Sequence, residues 1–205
     1  MYLSKLTLNP RSRQVRRDLG NPYEMHRTLS WAVSEALAEG KERLLWRLEP
    51  GRPETPILLV QTWTFPRWDL LLDRHPGYAD VDPESPKPYE PTLEPNQVFR
   101  FRIRANASVK RLGKRHALRT VDEKLAWLEQ RFDASGLGLD AADVVAEERL
   151  RARKPGCLIT VDATLFEGRL HVANPESARA ALVNGIGHAK GLGLGLLSIA
   201  RERSG

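Results

Sequence analysis

The chain has 205 residues, 41% of them hydrophobic, a mean hydropathy of −0.44 and no apolar run long enough to cross a membrane. Its 32 Lys and Arg outweigh 26 Asp and Glu, giving a net charge of +6 that favours a polyanionic partner. The single cysteine, Cys157, excludes an internal disulfide and a cysteine-based zinc site, so a cytoplasmic protein is expected.

Taken in order, "YLSKLTL" (2–8) reads as a strand and is followed by a basic loop, "NPRSRQVRRDLG". A helix over 22–39 is then signalled by Asn21 as cap, Pro22 at the first helical position, Glu24 able to reach back to the cap, and Gly40 as a stop. Met25, Leu29, Ala32, Val33 and Ala36 form its core stripe. Tyr23 and His26 lie one turn apart on a neighbouring outer face, with Arg27 beside them, so that their side chains can serve one substrate. The same two rings would also fit the rim of a core.

Runs 41–48 and 57–64 resemble strands, and "PRWDLLLDR" a short helix. Residues 75–95 hold six prolines without periodicity, which points to a linker with at most one edge strand. A similar order recurs. Residues 97–104 alternate as a strand, and Thr120 with Glu123 forms a capping box for a helix over 121–132. "AADVVAEERLRARK" fits strand or helix. "CLITVDATLFEGRLHVA" reads as a hairpin or long strand turning near Glu167-Gly168, with Cys157 buried. Asn174-Pro175 opens a helix that Gly185 ends, and "GLLSIA" closes the chain as a strand. The fold class expected is α+β, two tandem ferredoxin-like (βαββαβ, RRM-like) domains at 1–80 and 96–205, joined by a Pro-rich linker at 81–95.

Segment 98–120 carries eight Lys or Arg and no acid. Arg100, Arg102 and Arg104 share one strand face, about 7 Å apart and near the phosphate spacing of a nucleic acid, with Phe99, Phe101 and Ile103 behind them. Lys110, Arg111, Lys114, Arg115 and Arg119 extend this surface, which we read as phosphate-binding because no acid balances it. The loop "GIGHAKGLGLG" matches neither a P-loop nor a dinucleotide fingerprint. Its glycines allow close backbone approach, and Lys190 could reach a phosphate. His75, His116, His171 and His188 show no metal-binding spacing, so neither a metal nor a cofactor is expected.

In this order "MYLSKL", "NPYEMHRTL", "FRIRAN", "EKLAWLEQR" and "LFEGRL" resemble the CasE-type CRISPR repeat-processing endoribonucleases of type I-E systems, within the RAMP superfamily. Gly185, Gly187, Gly193 and Gly195 fit that superfamily's glycine loop. The resemblance implies a metal-independent endoribonuclease that binds the stem-loop of CRISPR repeat RNA, cuts at its 3′ base to give guide RNA, and works with other subunits of a Cascade surveillance complex. It also implies that His26 is catalytic and that Tyr23 assists. Trp31 stands where some relatives have lysine, and His188 where many have proline. Arg27 or a residue of the basic segment would then supply the missing charge. A non-catalytic RNA-hairpin-binding subunit on the same fold is the alternative. The reaction expected is attack of the RNA 2′-OH on the adjacent phosphorus, leaving a 2′,3′-cyclic phosphate and a 5′-OH.

Overall fold

In a computed structural model, which describes residues 1–51 and 53–201, β1 (Tyr2–Leu8) turns Ser4, Leu6 and Leu8 inward, each at most 1% exposed. The two compact units of the chain are best taken separately. The first comprises Met1–Glu90 with Arg151–Ile159 and Gly191–Gly193; the second comprises Pro91–Leu150, Thr160–Lys190 and the chain from Leu194 onward.

In the first unit β1 leads to α1 (Arg13–Leu19), where a basic loop was expected. Only Val15 and Leu19 are apolar there, one turn apart. Val15 joins the core and Leu19 packs against it, and Asp18, 1% exposed, adds hydrogen bonds that it accepts from Gln14 at 2.9 Å and from the Tyr78 hydroxyl at 2.9 Å. Gln14 also reaches Thr28 at 3.1 Å, tying α1 to α2 (Pro22–Leu29). The single helix expected over 22–39 is interrupted: α2 passes into a 3₁₀ turn over Ser30–Val33 and then α3 (Ser34–Ala38). Ser30 Oγ donates to the His26 carbonyl, which also keeps the Ser30 N–H, and the Ala32 carbonyl accepts from Arg67 N–H, a partner outside the helix.

β2 (Leu45–Leu48), β3 (Ile57–Thr62), α4 (Trp68–Arg74) and β4 (Ala79–Val81) follow. The sheet order is β2-β3-β1-β4, antiparallel throughout. A βαββαβ chain with the first and third strands central is the ferredoxin-like arrangement. Leu6, Leu8, Leu58, Val60 and Trp46 from the sheet pack with Met25, Leu29, Ala32, Trp68 and Leu71 from the helices. Residues 81–90, expected within the linker, belong to this unit: β5 (Lys87–Pro88) pairs with Tyr2 and Leu3 of β1.

The second unit repeats the order. β6 (Val98–Ala105) buries Phe99, Phe101 and Ile103, as its alternation required. Where a loop was expected, β7 (Ser108–Arg111) and β8 (Lys114–Ala117) form a hairpin. Its two turn residues, Leu112 at φ 48° and Gly113 at φ 78°, have the left-handed backbone of a type I′ turn. α5 (Val121–Asp133) has the expected capping box. β9 (Leu137–Lys154) and β10 (Cys157–Val172) settle the ambiguous stretch as one long hairpin, turning at Pro155-Gly156 and not at Glu167-Gly168. Gly168 continues the strand, and a Cβ there would fall 2.0 Å from the Ala141 carbonyl oxygen. Cys157 is exposed, not buried, because it follows the hairpin turn directly. α6 (Pro175–Asn184) and β11 (Leu197–Arg201) complete the order β11-β6-β10-β9, again ferredoxin-like. Phe101 meets Phe132 of α5 edge-on, with ring centroids 4.9 Å apart. Among the described residues no helix is long and apolar enough to cross a membrane.

Candidate functional site

Tyr23 and His26 stand in the first turns of α2, whose start is set by Asn21. The Asn21 side chain accepts the Tyr23 N–H at 3.3 Å, and Pro22 occupies the first helical position. Glu24 does not return to the cap: it pairs with Arg17 and, at 3.1 Å, with Arg27, while the Asn21 N–H goes to the Asp18 carbonyl. Arg27 is thereby bound to a carboxylate, with its guanidinium carbon 6.0 Å from the centre of the Tyr23 ring.

Neither ring of the pair is on a fully open face, as the helical spacing had suggested; both are half-buried. His26 Nδ1 is buried and has no hydrogen-bond partner among the described residues, while Nε2 is not buried in this way. Burial holds the His26 pKa below the ordinary histidine value of 6.5, so the imidazole is neutral at physiological pH. One ring face lies against Gly191, where a Cβ would sit 3.7 Å from Cδ2 and 3.8 Å from Nε2. Trp31, 42% exposed, lies beneath the Arg74 guanidinium, whose carbon is 3.8 Å from the ring centre.

The glycine loop turns inward. Gly185, Gly187, Gly193 and Gly195 all have φ between 71° and 86°. Within the first unit a Cβ at Gly193 would fall 2.5 Å from the Trp46 ring. Within the second, one at Gly195 would fall 2.6 Å from the Ile186 carbonyl oxygen and 3.2 Å from Lys190 Cγ. Gly193 and Gly195 thus serve close approach within the protein.

The basic segment lies in the second unit, and the acids absent from its sequence arrive from other strands. Arg102 binds Glu167 of β10 at 2.7 Å, Arg104 pairs with Glu148 of β9, and Arg119 lies 3.7 Å from Asp162. The absence of balancing acid is therefore a property of the local sequence only. Arg115 donates to His188 Nε2 at 2.7 Å, and burial together with the nearby Arg115, Arg131 and Lys190 holds His188 below its ordinary pKa. Arg100, Lys110 and Arg111 are exposed, Lys190 is half-buried, and the side chain of Lys114 lies outside the described residues.

A second set of cations was missed in the sequence. Arg151, Arg153 and Lys154, all exposed, stand at the tip of the β9–β10 hairpin in the first unit. Arg153 exchanges two backbone hydrogen bonds with the Asn21 side chain, beside the start of α2. The signal was present in "RLRARKPG", where alternating basic residues run into a Pro-Gly turn.

Residues 1–201 match the family model described as CRISPR associated protein. The chain is 53% identical, over 216 aligned positions covering 98% of it and 100% of the relative, to the CRISPR-associated endoribonuclease Cse3 of Thermus thermophilus. Thermus thermophilus Cse3 bound to an RNA representing a pre-cleavage complex superposes with a TM-score of 0.90 at 53% identity, covering 97% of this chain and 98% of that one. A chain of a CRISPR RNA-guided surveillance complex matches with a TM-score of 0.71 at 27% identity, over 98% of this chain and 100% of that one.

Proposed function

We propose that this chain, which belongs to the CRISPR-associated protein family, is an endoribonuclease. It binds the stem-loop of CRISPR repeat RNA, cuts at the 3′ base of the stem, and takes its place among the subunits of a surveillance complex. One observation carries the chemistry: a half-buried histidine one helical turn from a tyrosine, on a helix whose cap, Asn21, binds a basic hairpin tip.

Cleavage by an internal nucleophile needs a proton taken from the 2′-OH and another given to the departing 5′-oxygen. The oxygen–phosphorus bond that forms closes the 2′,3′-cyclic phosphate, and the one that breaks releases the 5′-OH. His26 moves one of these protons through Nε2, the ring nitrogen that is not buried, and a general acid or base of this kind contributes about 10²–10⁴-fold. Its lowered pKa favours the neutral form that accepts a proton. Tyr23 positions the nucleophile. Arg151, Arg153 and Lys154 lie in the same unit as His26, and they offset charge building on the phosphoryl oxygens, the role first assigned to Arg27 or the basic segment. Arg27 is less suited because Glu24 holds it.

Incubation with the repeat RNA of the same genome tests this reading. A 2′-deoxy substitution just upstream of the cut should block cleavage and leave binding intact, and EDTA should change nothing. Products ending in a free 3′-OH, or cleavage of the deoxy substrate, would overturn it.

A further inference from the structure

Asn21 binds two elements with one side chain. Its Oδ1 accepts the Tyr23 N–H at 3.3 Å, as the cap of α2, and also the Arg153 N–H at 3.0 Å. Its Nδ2 donates to the Arg153 carbonyl at 3.0 Å. A residue on the open side of an edge strand presents its N–H and C=O in one direction, and β9 is the edge of its sheet. A carboxamide offers the complementary acceptor and donor in one plane. Asp would cap α2 equally well but could not donate, and Ser or Thr has one atom where two are needed. The residue type at 21 is thus dictated by the strand as well as by the helix.

The bonds reach the backbone of Arg153, not its guanidinium, so they locate the hairpin whatever side chains it carries. The tip with Arg151, Arg153 and Lys154 and the helix start with Tyr23 and His26 are thereby held as one piece. We propose that Asn21 is a positioning residue, a clamp that sets the scissile phosphate of an RNA held by the hairpin tip in register with Tyr23 and His26. This rests on the endoribonuclease reading above.

The test uses the full-length protein and the repeat stem-loop RNA. Asn21→Ser keeps a helix cap and cannot make the paired bonds to Arg153. Asn21→Asp keeps the acceptor bonds and sets a carboxylate against the Arg153 carbonyl. Thermal unfolding of each variant establishes that it is folded, and should Asn21→Ser melt below the assay temperature, Asn21→Asp carries the comparison. Affinity for a non-cleavable 2′-deoxy RNA should change little, while the single-turnover rate at saturating protein falls about tenfold or more, the scale expected of a small misplacement. Arg151→Ala should slow that rate in the wild type and add little on top of Asn21→Ser, because the clamp is what transmits its effect. Folded Asn21 variants that cut at the wild-type rate, or losses that simply multiply, would overturn the clamp while the wild type still cleaves. A wild-type protein that leaves the RNA uncut would overturn the endoribonuclease reading itself, and the clamp with it.

Discussion

Gly193 lies against the face of Trp46 so closely that a Cβ on it would come within 2.5 Å of the indole, and its φ of 78° is one that other residues rarely adopt. The glycine-rich loop is in this respect a packing device of the first unit, and Gly191, two residues earlier, rests on the ring of His26.

Gly193→Ala should therefore destabilise the protein by about 1–3 kcal/mol, from backbone strain and from the displaced tryptophan. Gly191→Ala has no such conflict, since its new methyl would meet the His26 ring at 3.7 Å, an ordinary contact. Urea unfolding of the two variants compares them directly, and equal midpoints would mean that the Trp46 contact is readily relieved.

His26→Ala should slow single-turnover cleavage at saturating protein by about 10²–10⁴-fold. Affinity for the RNA stem-loop should hold, because the imidazole moves protons and does not grip the stem. Tyr23→Phe should cost less. A His26→Ala protein cutting at the wild-type rate would remove the assignment.

The lowered pKa of His26 makes a prediction about stability. Unfolded, this histidine titrates near 6.5; folded, it titrates lower because burial disfavours the charged ring. Below pH 6.5 the unfolded chain thus binds more protons, so the contribution of His26 to stability is full above that pH and is lost as the pH falls toward the folded value. Denaturant unfolding above and below pH 6.5 should show a smaller acid loss in His26→Gln than in wild type. NMR titration of the His26 ring should give a midpoint under 6.5.

The cations of the second unit should divide into two groups. Arg102 and Arg104 are engaged by Glu167 and Glu148, so replacing either should leave a carboxylate unpaired and change the salt dependence of RNA binding little. Arg100, Lys110 and Arg111 are exposed. If they meet phosphates, each substitution should reduce the slope of log K against log salt by roughly 0.7–0.9. Affinity measured over a salt series separates the groups, and unchanged slopes throughout would place the RNA elsewhere.

A substitution at the hairpin tip completes the comparison. Arg151→Ala and Lys154→Ala should each weaken stem-loop binding and flatten its salt dependence, since both side chains are exposed and neither contributes to a core. Wild-type affinity in both would detach the tip from the RNA.

What the amino-acid order determined by itself is what local chemistry decides. Asn21-Pro22 and Asn174-Pro175 start helices because a carboxamide cap and a fixed φ act within three residues, and the Thr120–Glu123 box works in the same way. Alternation over 98–104 determined that Phe99, Phe101 and Ile103 are core, and the βαββαβ order determined the fold class. The tertiary structure decided everything that depends on partners far along the chain. It ended α2 at Leu29, beyond which the Ala32 carbonyl accepts from Arg67 N–H, and it gave α1 a buried Asp18 whose hydroxyl partner is sixty residues away. It brought Glu148 and Glu167 to arginines that look unbalanced in sequence, and it joined Asn21 to Arg153 across 132 positions. Charge balance and desolvation are set by distance in space, and strand pairing makes neighbours of residues whose separation in sequence carries no trace of it.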